Sequence, residues 1–478
     1  MRHILSLIFA LFVGWTPPAM ASEATTTAIK IGAQPSFDRS APFELAMLEG
    51  VKRQLVSLGR NAPLSANLTT GVLPSWLSYA SAGIRYYFDA SGNLQTSPNS
   101  LIYPSKNWAA TVTPTSSTVG VTQNAGIAPD GSNSSMAILS ASGLVSQQLY
   151  ELFAGQPNYS YVFSVYLKAN GYNYAGVSLE NTAFNTNQAV YFNLSSGVVT
   201  SQSQNATGTI VSVGGGWYRV SVFNIANGTG GNYVANIHLS KTGSDGGYFV
   251  GDGTSGILAW GQNVSLVTAN QTTPSPFMPT SGSAYFGPAF DHNPSTLAAL
   301  GGQSFPQRTN LFLNSLSPAG QTIPVASGLA YTISFYGTGT LTYTGACTGT
   351  LTGTSATTLT QATCTAATTS LVIASVTGSV TYPVVELGAF AGPRILTYGA
   401  AVTVPADNWA LAGPAVNAAK IGTVVVQKTS AATGLTTRVT YPPNTFSWPA
   451  SSWVQAIAIY PPGTNPSVIN RPLTPGGP

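Results

Sequence analysis

Acid–base cleavage of a polysaccharide needs two carboxylates at a defined separation, and this sequence is poor in them. Its 478 residues include only 13 Asp plus Glu. The candidates in the strand-rich first half are Glu151, Glu180, Asp245 and Asp252, and none pairs with another by its spacing. Asp245 and Asp252 lie in GSDGG and GDGTSG. In such Gly-rich stretches Asp serves turn chemistry by accepting backbone N–H bonds; the same oxygens are candidate ligands for a structural Ca²⁺. Beyond His3, the only histidines are His238 and His292. There is no nucleophile-elbow pattern, no phosphate loop and no His/Cys cluster at metal-ligand spacing. The expectation is a protein that is not an enzyme and has no cofactor, apart from the calcium alternative. The two cysteines, Cys347 and Cys364, lie in YTGACTGTL and TLTQATCTA. Read as neighbouring strands, these segments allow a cross-strand disulfide worth about 3 kcal/mol in an oxidising compartment. Two half-buried free thiols are the other reading, and the sequence does not choose between them.

What the residue types do suit is sugar binding. A sugar presents apolar C–H faces and hydroxyl edges, so a site for it combines aromatic platforms with amide and carboxylate partners. A sheet with one face in the core offers its other face for this. Period-two alternation identifies the strands. In YSYVFSVYLK the apolar set is Tyr161, Phe163, Val165 and Leu167; in AVYFNL it is Val190, Phe192 and Leu194. In YVANIHL it is Tyr233, Ala235, Ile237 and Leu239, and in ILAWGQNVSL it is Leu258, Trp260, Val264 and Leu266. Opposite these sets fall Tyr166, Lys168, Tyr174 and Glu180, then Tyr191, Asn193, Asn236 and His238. These form the candidate glycan-binding surface. The plainer reading is that they are ordinary solvent-facing positions, or cover a neighbouring module or subunit. Trp217, Tyr218 and Trp260 read as packing residues.

The surrounding sequence supports a β-rich, non-ionic scaffold. Charged residues make up 6% of the chain, against about 25% in an ordinary soluble domain. The net charge is +4 and no Lys/Arg cluster exists, so no nucleic-acid partner is expected. Gly/Asn/Ser clusters such as GGG at 214–216 and NGTGGN at 227–232 punctuate many short strands, as in sandwiches and jelly rolls. The expected fold is all-β: tandem antiparallel, jelly-roll-like sandwich modules with one short N-terminal helix. Residues 1–21 read as a signal peptide, with an apolar run from Ile4 to Trp15 and a small-residue site at Ala19-Met20-Ala21. Residues 22–66 form an N-terminal segment with a helix over about 42–59, where Phe43, Met47, Val51, Leu55 and Leu58 recur near helical spacing. A jelly-roll module is expected over 67–283, a shorter sandwich over 284–404, and a small β unit with a flexible tail over 405–478. No later run is long and apolar enough to cross a membrane as a helix.

LPSWLSYASAGIRYYFDASGNLQTSPNSLI resembles the opening of modules found in phage tail-fibre and minor structural proteins. GGGWYRVSV, GDGTSGILAWGQNVSL and AYFGPAFDHNPSTLAALGGQSFPQRTNLFLNS resemble their later landmarks and their link to a following copy. YTISFYGTGTLTYTG through VTYPVVELGAF resembles a compact companion module. The likeness spans roughly residues 70–400. Small or aromatic residues stand near Tyr79 and Ser81 where the family pattern has Arg, and Pro393-Arg394 interrupts the usual exit of the compact module. The resemblance implies jelly-roll modules like carbohydrate-binding ones, a receptor-binding or structural role, and no catalytic residues. Implied partners are a cell-surface polysaccharide or glycan, other tail or envelope proteins, and further copies of the chain as a homo-oligomer. The signal reading places the protein outside the cytoplasm; without it, the place is a virion tail. Purely structural and polysaccharide-degrading roles are the alternatives.

Overall fold

The computed structural model describes residues 64–103, 105, 116–180, 182–184, 188–227, 231, 233–412 and 421–464. The expected signal peptide and the helix expected over 42–59 lie outside the described residues. Among the described residues the regular elements are β-strands, save two single-turn 3-10 helices at Leu68–Thr70 and Thr182–Phe184. The fold is all-β, as the alternation requires.

The largest unit stacks two six-stranded antiparallel sheets. Across the first sheet run Val198–Gln202, Gln188–Asn193, Tyr174–Glu180, Tyr233–Ser240, Gln148–Phe153 and Ser116–Ser117. Across the second run Thr207–Gly214, Trp217–Ile225, Ser160–Asn170, Gly256–Val267, Ser135–Leu139 and Gly120–Gly126. Spatial neighbours are often distant in the chain, and the path crosses repeatedly between sheets in the manner of a jelly roll. Tyr161, Phe163, Val165 and Leu167 of the second sheet are all at most 1% exposed. They meet Val177, Phe192, Ile237 and Leu239 of the first in one core. Burying each such side chain contributes about 2 kcal/mol.

One strand departs from simple alternation. Leu258 and Trp260 do not share a face with Val264 and Leu266, contrary to the sequence reading. Ile257, Ala259, Val264 and Leu266 point into the core, whereas Leu258 and Trp260 pack outside it. A bulge separates the halves: the register against Ser160–Asn170 shifts between Ser164 and Tyr166. Gly261 sits there at φ 64°, where a Cβ would lie 2.9 Å from the Tyr166 ring. Only glycine takes that conformation cheaply.

The compact module packs a four-stranded sheet (Gln321–Pro324, Ser370–Thr377, Thr340–Gly345, Gly349–Thr352) on a three-stranded one (Ser355–Thr365, Ala330–Gly337, Thr381–Leu387). Phe312, Ile333, Phe335, Leu341, Ile373 and Val385 fill the space between them. Cys347 and Cys364 are joined by a disulfide with Cα atoms 6.2 Å apart. The two segments are not hydrogen-bonded neighbours, as the sequence reading had them. Cys364 lies on the three-stranded sheet and Cys347 follows Thr340–Gly345 of the other, so the bond staples sheet to sheet.

A third six-stranded sheet gathers Phe290–His292, Ala299–Ser304, Ser452–Tyr460, Thr423–Ser430 and Thr436–Tyr441, and Leu64–Asn67 pairs with Ser452–Tyr460. Leu77–Ala80 pairs with Asn408–Leu411 beside it. Leu68, Trp76, Leu77, Trp409, Val424, Val454 and Ile457 share one core. The strands of this sheet therefore come from both sides of the boundaries expected at 66/67, 283/284 and 404/405. Leu64 and Ala66 pack into the same core as Val424, Val426, Ile457 and Ile459, and that shared burial brings the two chain regions together, while Val425, Ala458 and Tyr460 are buried in a separate cluster.

Candidate functional site

The residues expected on the glycan-binding surface lie on outer faces, but on two different ones. Tyr174, Glu180, Tyr191, Asn193, Asn236 and His238 belong to the first sheet. Gly176 lies opposite both Tyr191 and His238, and Ser178 lies opposite Asn236. Tyr166 and Lys168 belong to the second sheet, on the far side of the sandwich. Tyr166 is there enclosed by Trp260 and Phe277, at 5.3 and 5.9 Å between ring centroids, with the Arg219 guanidinium over its ring. Arg219 Nη2 donates to Ser164 Oγ and to the Ser275 carbonyl, and Trp217 Nε1 donates to the Ile127 carbonyl. Chain segments around Ile127 and Ser275 thus cover this face. Tyr166 packs with the tryptophans and is removed from the candidate surface.

On the first sheet the polar side chains form a connected cluster. Glu180 Oε1 accepts from Ser178 Oγ at 2.6 Å and is 2.9 Å from His238 Nε2; Glu180 Oε2 accepts from Asn236 Nδ2 at 3.2 Å. Asn236 Nδ2 also donates to Gln148 Oε1. Burial pushes the Glu180 carboxyl up, but the hydrogen bond from His238, its charge, and the bonds from Ser178 and Asn236 outweigh it. The result is a carboxylate held at about 2. Near neutral pH Glu180 is therefore an acceptor. Its side chain is 17% exposed, against 6% for that of His238.

Tyr191, Asn236 and His238 are buried, which alternation alone does not foresee. The Tyr191 ring lies over Gly176, where a Cβ would come within 2.6 Å of it, and packs against His238 with centroids 5.9 Å apart. The loop from Lys241 to Gly247 folds back over the same end of the sheet. A Cβ on Gly243 would strike Thr200 and Tyr174, and one on Gly247 would lie 3.1 Å from His238 Nδ1. Asp245 shapes that loop: its carboxylate accepts from the backbone N–H groups of Lys241, Thr242 and Gly247. Asn193 is likewise spent on its own turn, accepting from the N–H groups of Ser195 and Ser196. The open part of the face is left to Tyr174, Tyr150 and Glu180, none of them fully buried. Tyr150 is not among the residues the alternation points to; its register opposite Asn236 puts it on this face.

The arrangement does not make a hydrolytic centre. Glu151, on Gln148–Phe153 of the same sheet, points into the sandwich, where Gln262 Nε2 donates to it at 2.6 Å. Glu151 and Glu180 thus lie on opposite faces of one sheet. Ser178 Oγ is 2.8 Å from His238 Nε2, the same nitrogen that meets Glu180. A nucleophile relay needs the hydroxyl and the carboxylate on opposite ring nitrogens. Asp252 accepts from the N–H groups of Thr254 and Ser255 and from Ser140 Oγ, so it caps its turn as Asp245 does. No group of three His, Cys, Asp or Glu side chains at metal-ligating distance occurs among the described residues.

No protein-family model matches the chain. None of the curated proteins matches it either. Among solved structures it is similar to an anti-sigma factor domain-containing protein from Clostridium clariflavum, at 11% identity over 76% of this chain and 98% of that one. The TM-score is 0.12. No helix among the described residues is long and apolar enough to cross a membrane.

Proposed function

We propose that this chain is a non-enzymatic binding protein of the tail-fibre kind that works outside the cytoplasm and recognises a cell-surface glycan on the outer face of its first sheet. The observation that carries this reading is Glu180. It is an ionised, partly exposed acceptor, held in place by Ser178, His238 and Asn236, with Tyr150 and Tyr174 on the same face. Sugar hydroxyls donate to such a carboxylate while the ring's C–H face lies on a tyrosine. The buried Tyr191, Asn236 and His238 act behind the surface by fixing Glu180.

The test is binding of the full chain to an array of bacterial surface polysaccharides, repeated with Tyr150→Ala/Tyr174→Ala. Binding that drops at least tenfold, with the circular dichroism spectrum unchanged, is the expected result. Undiminished binding in the double variant discards this face. Absence of binding to every polysaccharide, together with a stable oligomer that shields Tyr150 and Tyr174 from hydrogen exchange nearby, favours a purely structural component.

A further inference from the structure

The three β units meet around an unusually polar junction. Arg85 Nε donates to Asp407 Oδ1 at 2.6 Å, and Asp407 also accepts from the Tyr79 hydroxyl and the Phe305 N–H. Arg308 pairs with Glu386 and donates to the Pro393 carbonyl. These contacts tie the opening segment to the C-terminal strands and close the compact module.

Beside this network lies a cleft of about 250 Å³, far larger than the one-water voids of a packed interior. Its walls come from all three units. Tyr87 contributes from the hairpin of Tyr86–Phe88 and Leu94–Thr96, Tyr336 and Arg394 from the compact module, and Asp291 and Trp453 from the third six-stranded sheet. Tyr87 and Trp453 are half-exposed, while Gln361 and Gly434 are exposed at the rim. The polar groups are held rigidly. Asp291 accepts from the N–H groups of Phe88 and His292, from Gln303 Nε2 and from Trp453 Nε1, which fixes the Trp453 indole. Arg394 Nη1 donates to Ser334 Oγ and the Tyr382 carbonyl, and Nη2 donates to the Gly392 carbonyl. Among the described residues its Nε–H finds no acceptor. The guanidinium lies over the Tyr336 ring.

Aromatic walls with a few fixed donors and acceptors suit a small ligand with both C–H faces and hydroxyls. Charge narrows the choice. Arg394 brings one positive charge and Asp291 one carboxyl, while Arg308 is matched by Glu386, so no excess charge calls for an ionic partner. We infer that this junction cleft is a second ligand site, which takes a single uncharged pyranose ring between Tyr87 and Trp453 with a hydroxyl on Arg394. This goes beyond the sheet-face reading. The two fail separately, because their variants share no residue.

The experiment uses the full chain with ¹⁵N-labelled tryptophan indoles and four probes: the methyl pyranosides of glucose, galactose, mannose and N-acetylglucosamine. The Trp453 resonance is assigned by its loss in Trp453→Phe. The expected result is a saturable shift of that resonance with at least one probe in the millimolar range. The shift should be abolished by Ala431→Trp, which fills the cleft from its Thr429–Ala431 wall and leaves Arg394 itself in place, and retained in Tyr150→Ala/Tyr174→Ala. Arg394→Lys, if folded, should weaken binding about tenfold. No shift with any of the four probes, or a shift that survives Ala431→Trp, overturns the inference.

Discussion

Glu151 offers a test of the sandwich interior that depends on a single proton. Its side chain points between the two large sheets and meets Gln262 Nε2. Burial pushes its carboxyl up from 4.5 to about 7, with the Gln262 hydrogen bond only partly opposing the shift. A group whose folded value lies above its unfolded one takes up a proton on folding between those two values. Its favourable contribution is complete below pH 4.5 and is lost as the pH rises through 7. Above pH 7 the native state therefore carries a buried charge that the unfolded chain solvates freely. A shift of roughly 2.5 pH units corresponds to about 3 kcal/mol. Glu151→Gln keeps the acceptor for Gln262 and removes the charge. At pH 8.5 it should stabilise this unit by up to about 3 kcal/mol; at pH 4.5 it should be neutral within about 0.5 kcal/mol. Hydrogen exchange of amides in Gln148–Phe153 and Gly256–Val267 under increasing urea reads the unit's own unfolding, free of the other two modules. Other carboxyls titrate in the same range, Asp291 among them at about 6, but they cancel in the difference between variant and parent. A difference that stays flat from pH 4.5 to 8.5 would refute the placement of Glu151 in the core.

Glu180 should behave in the opposite sense. Its folded value is lowered, so its contribution is present above pH 4.5 and disappears as the pH falls towards 2. Glu180→Gln should cost the unit about 2–3 kcal/mol at pH 7 and little at pH 2.5, read by the same exchange measurement. Loss of the staple in Cys347→Ser/Cys364→Ser should cost the compact module about 3 kcal/mol through its 17-residue separation. Exchange should accelerate across Ala330–Gly337 and Thr340–Gly345, with Ser160–Asn170 unaffected; acceleration confined to the large sandwich would contradict the separate cores.

Side-chain alternation carried much of the argument because a strand turns successive residues to opposite faces whatever its neighbours are. That is why Tyr161, Phe163, Val165 and Leu167 on one strand, and Tyr233, Ala235, Ile237 and Leu239 on another, could be assigned to a core face by inspection. The same rule fails in ILAWGQNVSL, where the bulge at Gly261 resets the phase. A single Gly inside an alternating run is the signal that could have exposed it. The candidate surface is legible in the sequence only by halves. Tyr174, Glu180, Tyr191 and His238 do share a face, but Tyr166 belongs to the other sheet, and alternation says nothing about which sheet a strand joins.

From the sequence alone came the all-β class, the inward set of each regular strand, and the scarcity of paired ionisable groups. Each depends on residue type and on a two-residue repeat, and both are local. Tertiary structure alone decided that Leu64–Asn67 pairs with Ser452–Tyr460, that the disulfide joins two sheets, and that the Lys241–Gly247 loop buries His238. It also brought Tyr87, Arg394 and Trp453 to one cleft. These depend on which apolar faces bury each other across hundreds of residues, and that choice leaves no periodic mark in the chain.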